Sequence, residues 1–240
     1  MLESLGDKVA LVTGAGRGIG RAIALALASR GCSLAVCANV KDEIDKVADE
    51  IERLGAKVLA LCLDLSKKED CVLFVKKALD QYGTIDFLIN CVGVLFQKPL
   101  LEQSLEEWDT TMNVNLRSYF ILTQEVLKIM KEKRDGYIIN IASTAVQGPR
   151  GDLVAYGVSK YGVQGLSRTT HDASVRYGFG VRVSTIYPGA VDTSMARSLD
   201  FLKDEKNWMF PEDIAEAVVF LLTTPKRVLI RDLVVENFAV

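Results

Sequence analysis

Short apolar runs alternate with longer helix-like stretches along almost the whole chain, and this alternation limits the possible folds more than any other feature. The runs are rich in Val, Ile and Leu, as expected of strands that helices cover on both faces. Strands that alternate with helices of this length imply βαβ crossovers and a parallel sheet. The predicted strands are Lys8–Thr13, Ser33–Ala38, Lys57–Leu63, Ile85–Asn90, Tyr137–Ala142, Val181–Tyr187 and Val228–Val235. The predicted helical stretches are Gly18–Arg30, Lys41–Leu54, Lys67–Gln81, roughly Ser104–Lys133, Ala155–Tyr177 and Pro211–Thr223.

The length and composition of the chain favour one domain over residues 1–240. A chain of 240 residues fits one large α/β domain, and no Pro/Gly/Ser-rich linker divides it. The least regular stretch is Thr193–Phe210, which follows the end of a predicted strand. Ligands of α/β sheets bind at that end of the strands, so this stretch is predicted to be a substrate lid. The alternative is a solvated connection.

Several classes of protein are disfavoured by composition. The net charge of −2 and the pI of about 5.6 show no excess of positive charge that would attract nucleic acid. No apolar run is long enough to span a bilayer, and the first residues lack the pattern of a signal peptide, so a cytoplasmic protein is expected. The five cysteines include no C-x-x-C pair and His171 is the single histidine, so no metal site is expected.

A glycine-rich turn, Thr13–Gly20, joins the first predicted strand to the first predicted helix. Gly14, Gly18 and Gly20 let the backbone turn tightly and approach a pyrophosphate, and a helix N-terminus offers free N–H groups to its charge. The spacing departs from G-x-G-x-x-G because position 19 is Ile. A P-loop is excluded because no Gly-Lys-Ser/Thr follows. The alternative is a turn that serves only to pack the helix on the strand.

Tyr156 and Lys160 form a candidate proton-transfer pair. They lie four residues apart at the start of a predicted helix, and this spacing places them on one face. A free tyrosine has a pKa near ~10, which a nearby ammonium lowers by stabilising the phenolate. Ser143 follows a predicted strand end and is a candidate to hold a carbonyl oxygen beside the tyrosine. Taken singly, these residues are also compatible with an exposed helix pair and a turn-capping serine.

Together these features resemble the classical short-chain dehydrogenase/reductase family, from about Lys8 to Val235. The resemblance implies a Rossmann-type, doubly wound, parallel seven-stranded sheet of order 3-2-1-4-5-6-7 in a single domain. It also implies a catalytic tetrad, Asn115, Ser143, Tyr156 and Lys160. Two stretches depart from the family pattern. Asn90-Cys91-Val92-Gly93 stands where Asn-Ala-Gly or Asn-Asn-Ala-Gly is usual, and the C-terminus lacks a glycine pair.

The resemblance further implies a set of residues that contact a nicotinamide dinucleotide. They come from the glycine-rich turn, the ends of the predicted strands and the stretch after Val181–Tyr187. The expected contacts are Gly14, Arg17, Gly18, Ile19, Gly20, Asn39, Asp64, Leu65, Asn90, Gly93, Tyr156, Lys160, Pro188, Gly189, Val191 and Thr193.

The end of the second predicted strand bears on the choice between NADP(H) and NAD(H). Sites that prefer NAD carry an acid there for the ribose 2′-OH, but this chain has Ala38 followed by Asn39. Arg17 lies where members of the family commonly pair a basic residue with the 2′-phosphate. Asp42 and Glu43 follow closely, and their negative charges weigh against a bound 2′-phosphate. The alternative for Arg17 is an ordinary exposed residue at the start of a helix. On balance NADP(H) is predicted as the preferred cofactor, with NAD(H) possible.

The mechanism implied by the resemblance adds the 4-pro-S hydride to a carbonyl carbon, with the proton from Tyr156. Ser143 orients the oxygen, and Lys160 tunes Tyr156 and bonds the nicotinamide ribose. Asn115 opens its helix around a water linked to Lys160. The expected activity is that of a carbonyl reductase of the 3-oxoacyl-[acyl-carrier-protein] reductase type.

Two other functions stay open from the sequence. One is an alcohol or hydroxy-acid dehydrogenase that works oxidatively. The other is a non-catalytic, redox-sensing protein that binds the cofactor, which the presence of both tyrosine and lysine disfavours. The expected partners are a small-molecule or acyl-carrier carbonyl substrate and further copies of the chain. A homotetramer or homodimer through the helices about Val114–Lys133 and Ala155–Tyr177 is typical of the family, and closed symmetry is the usual outcome.

Overall fold

The structure, a computed structural model, describes residues 4–203 and 205–238. Seven parallel strands form one sheet in the order β3-β2-β1-β4-β5-β6-β7, which confirms the predicted doubly wound fold. The strands are β1 Val9–Thr13, β2 Ser33–Ala38, β3 Val58–Cys62, β4 Phe87–Asn90, β5 Gly136–Ile141, β6 Val181–Pro188 and β7 Asp232–Val235. The helices are α1 Gly18–Ala28, α2 Lys41–Arg53, α3 Lys68–Tyr82, α4 Leu105–Met112, α5 Ser118–Lys133, α6 Val154–Arg176, α7 Ser194–Arg197 and α8 Pro211–Thr223.

The two faces of the sheet bury different sets of side chains. Along β1, Ala10 and Val12 point into one apolar core, which is closed by α1, α2 and α8. Val9 and Leu11 point into the other core, which is closed by α3 and α5. Every residue of β1 is buried, because strand side chains alternate between two covered faces. This explains the near-continuous apolar runs in the sequence.

The direction in which the sheet grows reverses at β1, which pairs with β2 on one side and with β4 on the other. The loops after β1 and β4 therefore diverge to opposite sides and leave a crevice at the carboxyl ends of these strands. In open α/β sheets ligands bind in this crevice. The topology alone thus places the candidate site next to the glycine-rich turn.

The last strand is shorter than the sequence predicts. It begins at Asp232, whereas the apolar pattern predicted a start at Val228. The N–H of Val228 turns back to the Pro225 carbonyl at 2.7 Å, and its own carbonyl accepts from the Arg182 guanidinium. These groups are engaged in a turn, so the sheet ladder starts only where Thr185 donates to the Arg231 carbonyl.

The predicted helical stretch near 104–133 is continuous but irregular. A π-helical turn, Asn113–Arg117, joins α4 to α5, and such turns are common at functional sites. The stretch after β6 contains α7 and a 3₁₀ turn, Asp200–Leu202, neither of which the sequence predicted. Among the described residues, no helix combines the length and apolarity that a bilayer crossing requires.

Candidate active site

A cavity of about 560 Å³ opens at the carboxyl ends of the strands, between the glycine-rich turn and the loops after β4, β5 and β6. Most residues that the sequence predicted for a site line this cavity. They are Gly14, Arg17, Gly18, Ile19, Gly20, Asn39, Asp64, Leu65, Gly93, Ser143, Tyr156, Lys160, Pro188, Gly189, Val191 and Thr193. Asn90 and Asn115 do not line it. Asn90 is fully buried in the sheet, where its Nδ2 donates to Asn140 Oδ1 at 2.8 Å.

The glycine-rich turn is a tightly packed cradle in which side chains have no room. Gly14 has a φ of +65°, and a Cβ on it would lie 2.8 Å from the Val92 Cα. A Cβ on Gly20 would collide with the Gly14 carbonyl oxygen. In the described part of the chain no side chain caps α1, and its first turn holds no acid. Its backbone N–H groups and positive dipole end therefore fit the pyrophosphate of a dinucleotide.

Cys91 and Val92, which depart from the family pattern, are fixed by hydrogen bonds at the end of β4. Thr13 Oγ1 accepts from the N–H of Cys91 at 2.9 Å and from that of Val92 at 3.1 Å. The Tyr119 hydroxyl donates to the Val92 carbonyl at 2.9 Å. Burial raises the pKa of the Cys91 thiol to about 12, so the thiol is neutral near pH 7. The backbone of this pair is thus held by hydrogen bonds, and both residues line the cavity.

Tyr156 and Lys160 share the inner face of the first turns of α6. Lys160 is only 4% exposed, and its Nζ donates to the Ile141 carbonyl at 2.9 Å. The same Nζ lies 5.6 Å from the centre of the Tyr156 ring. Burial lowers the pKa of Lys160 to about 8. Burial raises the pKa of the Tyr156 phenol, and a hydrogen bond with the Ser143 side chain opposes this shift.

Asn115 lies one layer behind the cavity, in the π-helical turn. Its Oδ1 accepts from the Val94 N–H at 2.8 Å, and its Nδ2 donates to the Val94 carbonyl at 2.9 Å. The Nδ2 also donates to Ser159 Oγ at 3.1 Å. The side chain therefore clamps the loop after β4 to the helix that carries Lys160. Gly93 lies against it, since a Cβ there would be 3.6 Å from Asn115 Oδ1 and 3.9 Å from Lys160 Nζ.

Asn237 is a supporting residue that the sequence did not reveal. Its Oδ1 accepts from the Ala190 N–H at 2.8 Å, and its Nδ2 donates to the Ala190 carbonyl at 2.9 Å. A Cβ on Gly189 would approach Asn237 Oδ1 to 2.9 Å. The loop from Pro188 to Thr193 is thereby pinned to the segment after β7. Only the three-dimensional structure brings these two segments together.

One part of the cavity is lined mainly by apolar side chains. Its walls come from the loop after β4, the start of α6 and the segment after β6, namely Val94, Leu95, Leu153, Met195, Leu199, Phe201 and Leu202. Arg150 also lines it, stacked 3.6 Å from the centre of the Phe201 ring. Its charge is matched by Asp152, which it contacts through two hydrogen bonds of 3.1 and 3.2 Å. Among the described residues, no group of three or more His, Cys, Asp or Glu side chains is placed to hold a metal ion.

The fold and the cradle together define a class. A doubly wound sheet with a glycine-rich turn and a helix N-terminus at its switch point is a Rossmann-type dinucleotide-binding architecture. The chain belongs to the short-chain dehydrogenase/reductase family, since the family described as "short chain dehydrogenase" matches residues 8–202. It is thus an NAD(P)-dependent oxidoreductase of this family.

Relatives with and without a known structure cover nearly the whole chain. An uncharacterised oxidoreductase of Staphylococcus aureus (strain MRSA252) is 32% identical over 231 residues, which are 96% of this chain and 97% of the relative. A metagenomic short-chain oxidoreductase solved in complex with NADP is 32% identical, with a TM-score of 0.86 over 99% of this chain and all of the other. An alcohol dehydrogenase from the archaeon Thermococcus sibiricus, complexed with 5-hydroxy-NADP, is 34% identical, with a TM-score of 0.86 over 95% of both chains.

Proposed function

We propose that the protein is an NADP(H)-dependent carbonyl reductase that converts a ketone to an alcohol. One observation carries this proposal. The Tyr156 phenol, beside the buried Lys160 ammonium, lines the same cavity as the glycine-rich turn and the apolar side chains of the segment after β6. A proton donor in that cavity can serve a carbonyl group on a substrate with an apolar body.

Different residues of the cavity are assigned to different parts of a dinucleotide. The cradle of Gly14, Gly18 and Gly20 fits the pyrophosphate, and Arg17 provides a cation for an adenosine 2′-phosphate. Lys160 and the loop from Pro188 to Thr193 are assigned to the nicotinamide half. When bound, the nicotinamide supplies the hydride that the substrate carbon receives. The NADP-bound relatives support the preference for the phosphorylated cofactor.

The proton chemistry falls to the residues of α6 and its neighbours. In the reductive direction Tyr156 donates its phenolic proton to the carbonyl oxygen, and Ser143 orients that oxygen. The Lys160 ammonium stabilises the phenolate that remains. Asn115 is assigned a positioning role, because its bonds to Val94 and Ser159 fix the cavity floor and α6. General acid catalysis of this kind contributes about 10²–10⁴-fold.

The apolar half of the cavity favours a substrate with an apolar body next to the carbonyl group. A 3-oxoacyl chain or a similar ketone, free or carried on an acyl carrier, meets this requirement. The oxidative direction, on an alcohol or hydroxy acid, is the second candidate, and the alcohol dehydrogenase among the relatives favours it. A panel of such ketones and alcohols with NADPH, NADH and their oxidised forms, followed by nicotinamide absorbance, tests both directions.

We also propose that residues 193–210 act as a substrate lid. The segment contributes Met195, Leu199 and Phe201 to the apolar wall. It is tied to the opposite wall by Gln97, whose Oε1 accepts from the Asp200 N–H at 3.0 Å while its Nε2 donates to Asp152 at 2.8 Å. Separation of these contacts would open the apolar part of the cavity to substrate.

Arg17→Ala is expected to remove most of the preference for NADPH. The wild type should favour NADPH over NADH by at least about tenfold in kcat/KM, roughly 1.4 kcal/mol. The reason is the charge-assisted and often bidentate contact between a guanidinium and a phosphate. The variant should weaken the use of NADPH and leave that of NADH nearly unchanged, as measured by steady-state kinetics with each cofactor.

Arg21→Ala is the matched control for this variant, because Arg21 lies one turn further along α1 and pairs with Glu50. It should leave the ratio of the two cofactors intact. Equal or better use of NADH by the wild type would show that the cofactor assignment is wrong, while the fold would be unaffected.

We propose a homotetramer or homodimer formed through α5 and α6. The structure separates the apolar residues of these helices by role. Ile121 and Val163 are buried in the core, whereas Phe120 and Tyr161 are 49% and 44% exposed. The exposed rings leave an apolar surface that a second copy can cover. Light scattering at micromolar concentration should show a dimer or tetramer, and a monomer would contradict this proposal.

A further inference from the structure

A carboxylate lies beside the cation proposed to bind the 2′-phosphate. Glu43, in the first turn of α2, lines the cavity together with Arg17 and Asn39. Its Oε1 is 3.4 Å from Arg17 Nη1. Ala38, at the end of β2, has no carboxylate to present, whereas Glu43, from the next helix, brings one beside the glycine-rich turn.

The packing of Glu43 fixes it against the glycine-rich turn. A Cβ built on Gly16 would lie 3.1 Å from both the Cβ and the Oε2 of Glu43, and 3.0 Å from the Cβ of Ala38. Glu43 therefore lies beside the end of β2, where Rossmann-type sites distinguish a ribose hydroxyl from a phosphate. Its side chain is 33% exposed and that of Arg17 is 69% exposed. An ion pair this exposed is weak, so a ligand can exchange for either partner.

Besides Glu43, the acids among the described residues that line the cavity are Asp64, which is engaged with Ser66 and Lys67, and Glu236. The cations among the described residues that line the cavity are Arg17, Arg150 and Lys160. Arg150 is engaged with Asp152, and Lys160 lies on the floor next to Tyr156. The 2′ end of a dinucleotide would thus meet one guanidinium and one carboxylate that already interact.

We propose that Glu43 is a specificity-determining residue for the dinucleotide. Its carboxylate competes with an adenosine 2′-phosphate for Arg17, and it accepts hydrogen bonds from an unphosphorylated ribose. The inference rests on the proposed function in one respect, that the cavity holds a nicotinamide dinucleotide. On this proposal, a site with a phosphate-binding arginine also offers an acceptor for the ribose hydroxyls of NADH.

Glu43→Gln keeps the shape of the side chain and removes its charge. The variant should bind NADPH about tenfold more tightly, mainly because the side chain no longer competes with the phosphate for Arg17 and to a lesser degree because its like charge is gone. It should bind NADH about threefold more weakly, because a neutral amide is a poorer acceptor than a carboxylate. Dissociation constants from isothermal titration calorimetry, without substrate or turnover, give both numbers, and thermal unfolding confirms that each variant is folded.

Two further variants test whether the effect is specific. Asp42→Asn removes the same charge from the same turn of α2, but Asp42 does not line the cavity, so both affinities should change less than about twofold. In an Arg17→Ala background, Glu43→Gln should improve NADPH binding by less than about threefold, because competition for Arg17 no longer exists.

The outcomes separate the two proposals. If the wild type binds neither cofactor, the proposed function fails and the inference fails with it. If both bind but Glu43→Gln leaves their ratio unchanged, or Asp42→Asn changes it equally, the role of Glu43 is overturned while the proposed function stands. An undiminished gain in the Arg17→Ala background also overturns competition for Arg17.

Discussion

Tyr156→Phe is expected to lower kcat by at least about 10²-fold while leaving NADPH binding close to that of the wild type. The substitution removes the phenolic proton donor and keeps the ring that packs beside Lys160. The loss should therefore appear in the chemical step and not in the affinity for the dinucleotide. Single-turnover kinetics and a separate binding measurement distinguish these two quantities.

Tyr161→Phe is the matched control, since Tyr161 lies on the same helix but is 44% exposed and does not line the cavity. It should keep wild-type turnover. If Tyr156→Phe were to turn over at a near-normal rate, Tyr156 would have no part in proton transfer, and another donor would have to be sought.

Lys160→Met is expected to lower kcat by about 10²-fold or more and to make the ligand-free protein more stable at pH 7. Burial holds the pKa of Lys160 near 8, against an ordinary value of 10.5. Carrying the charge in the folded state at pH 7 therefore costs about 3 kcal/mol, at about 1.4 kcal/mol for each pKa unit. Loss of the hydrogen bond to the Ile141 carbonyl offsets about 1 kcal/mol of the stability gained by removing the charge. Methionine fills the same space without a charge.

The stability difference between the two proteins should depend on pH in a defined direction. Above pH 8 the folded state of the wild type releases the Lys160 proton, while the unfolded state keeps it up to about 10.5. The unfolded state then binds more protons, so wild-type stability rises with pH in this window. The free-energy cost of the Lys160 charge in the folded state should fall from about 3 kcal/mol at pH 7 to about 1 kcal/mol near pH 10.

Denaturant unfolding of both proteins at pH 7 and pH 10 measures this change, and taking the difference removes the titration of groups that the two share. A stability gap that is constant from pH 7 to pH 10 would mean that Lys160 does not titrate in this range. A Lys160→Met variant less stable than the wild type at pH 7 would mean that the ammonium is well solvated or well paired.

The features of the fold that could be predicted from the sequence are those that depend on neighbouring residues along the chain. The strands and helices follow from apolar runs and periodicity, and the order of the strands followed from the family resemblance. The start of β7 was missed because Val228 and Leu229 look like strand residues. The N–H and carbonyl of Val228, however, bond with Pro225 and Arg182, and an apolar pattern does not reveal such contacts.

The residues of the site also fall into those that a local pattern predicts and those that it does not. Tyr156 and Lys160 could be paired from the sequence because helical spacing alone places them together. Asn237, whose side chain holds Ala190, and Gln97, which ties Asp152 to Asp200, could not be identified. These contacts join segments that are distant in sequence, and only the packed structure shows them. The approach of Glu43 to Gly16 belongs to the same group, because it depends on how α2 is set against the turn.

The reversal of the sheet at β1 also bears on how the chain reaches its native state. Ala10 pairs with Phe87 across β1 and β4, although three helices and two strands intervene along the chain. Such distant pairings are slow to form, because a long loop must be closed before the contacts contribute. The cavity lies on this junction, so it is completed only when both halves of the sheet have docked. A nucleotide that binds only the completed cavity therefore stabilises the junction between the halves and makes them unfold more cooperatively.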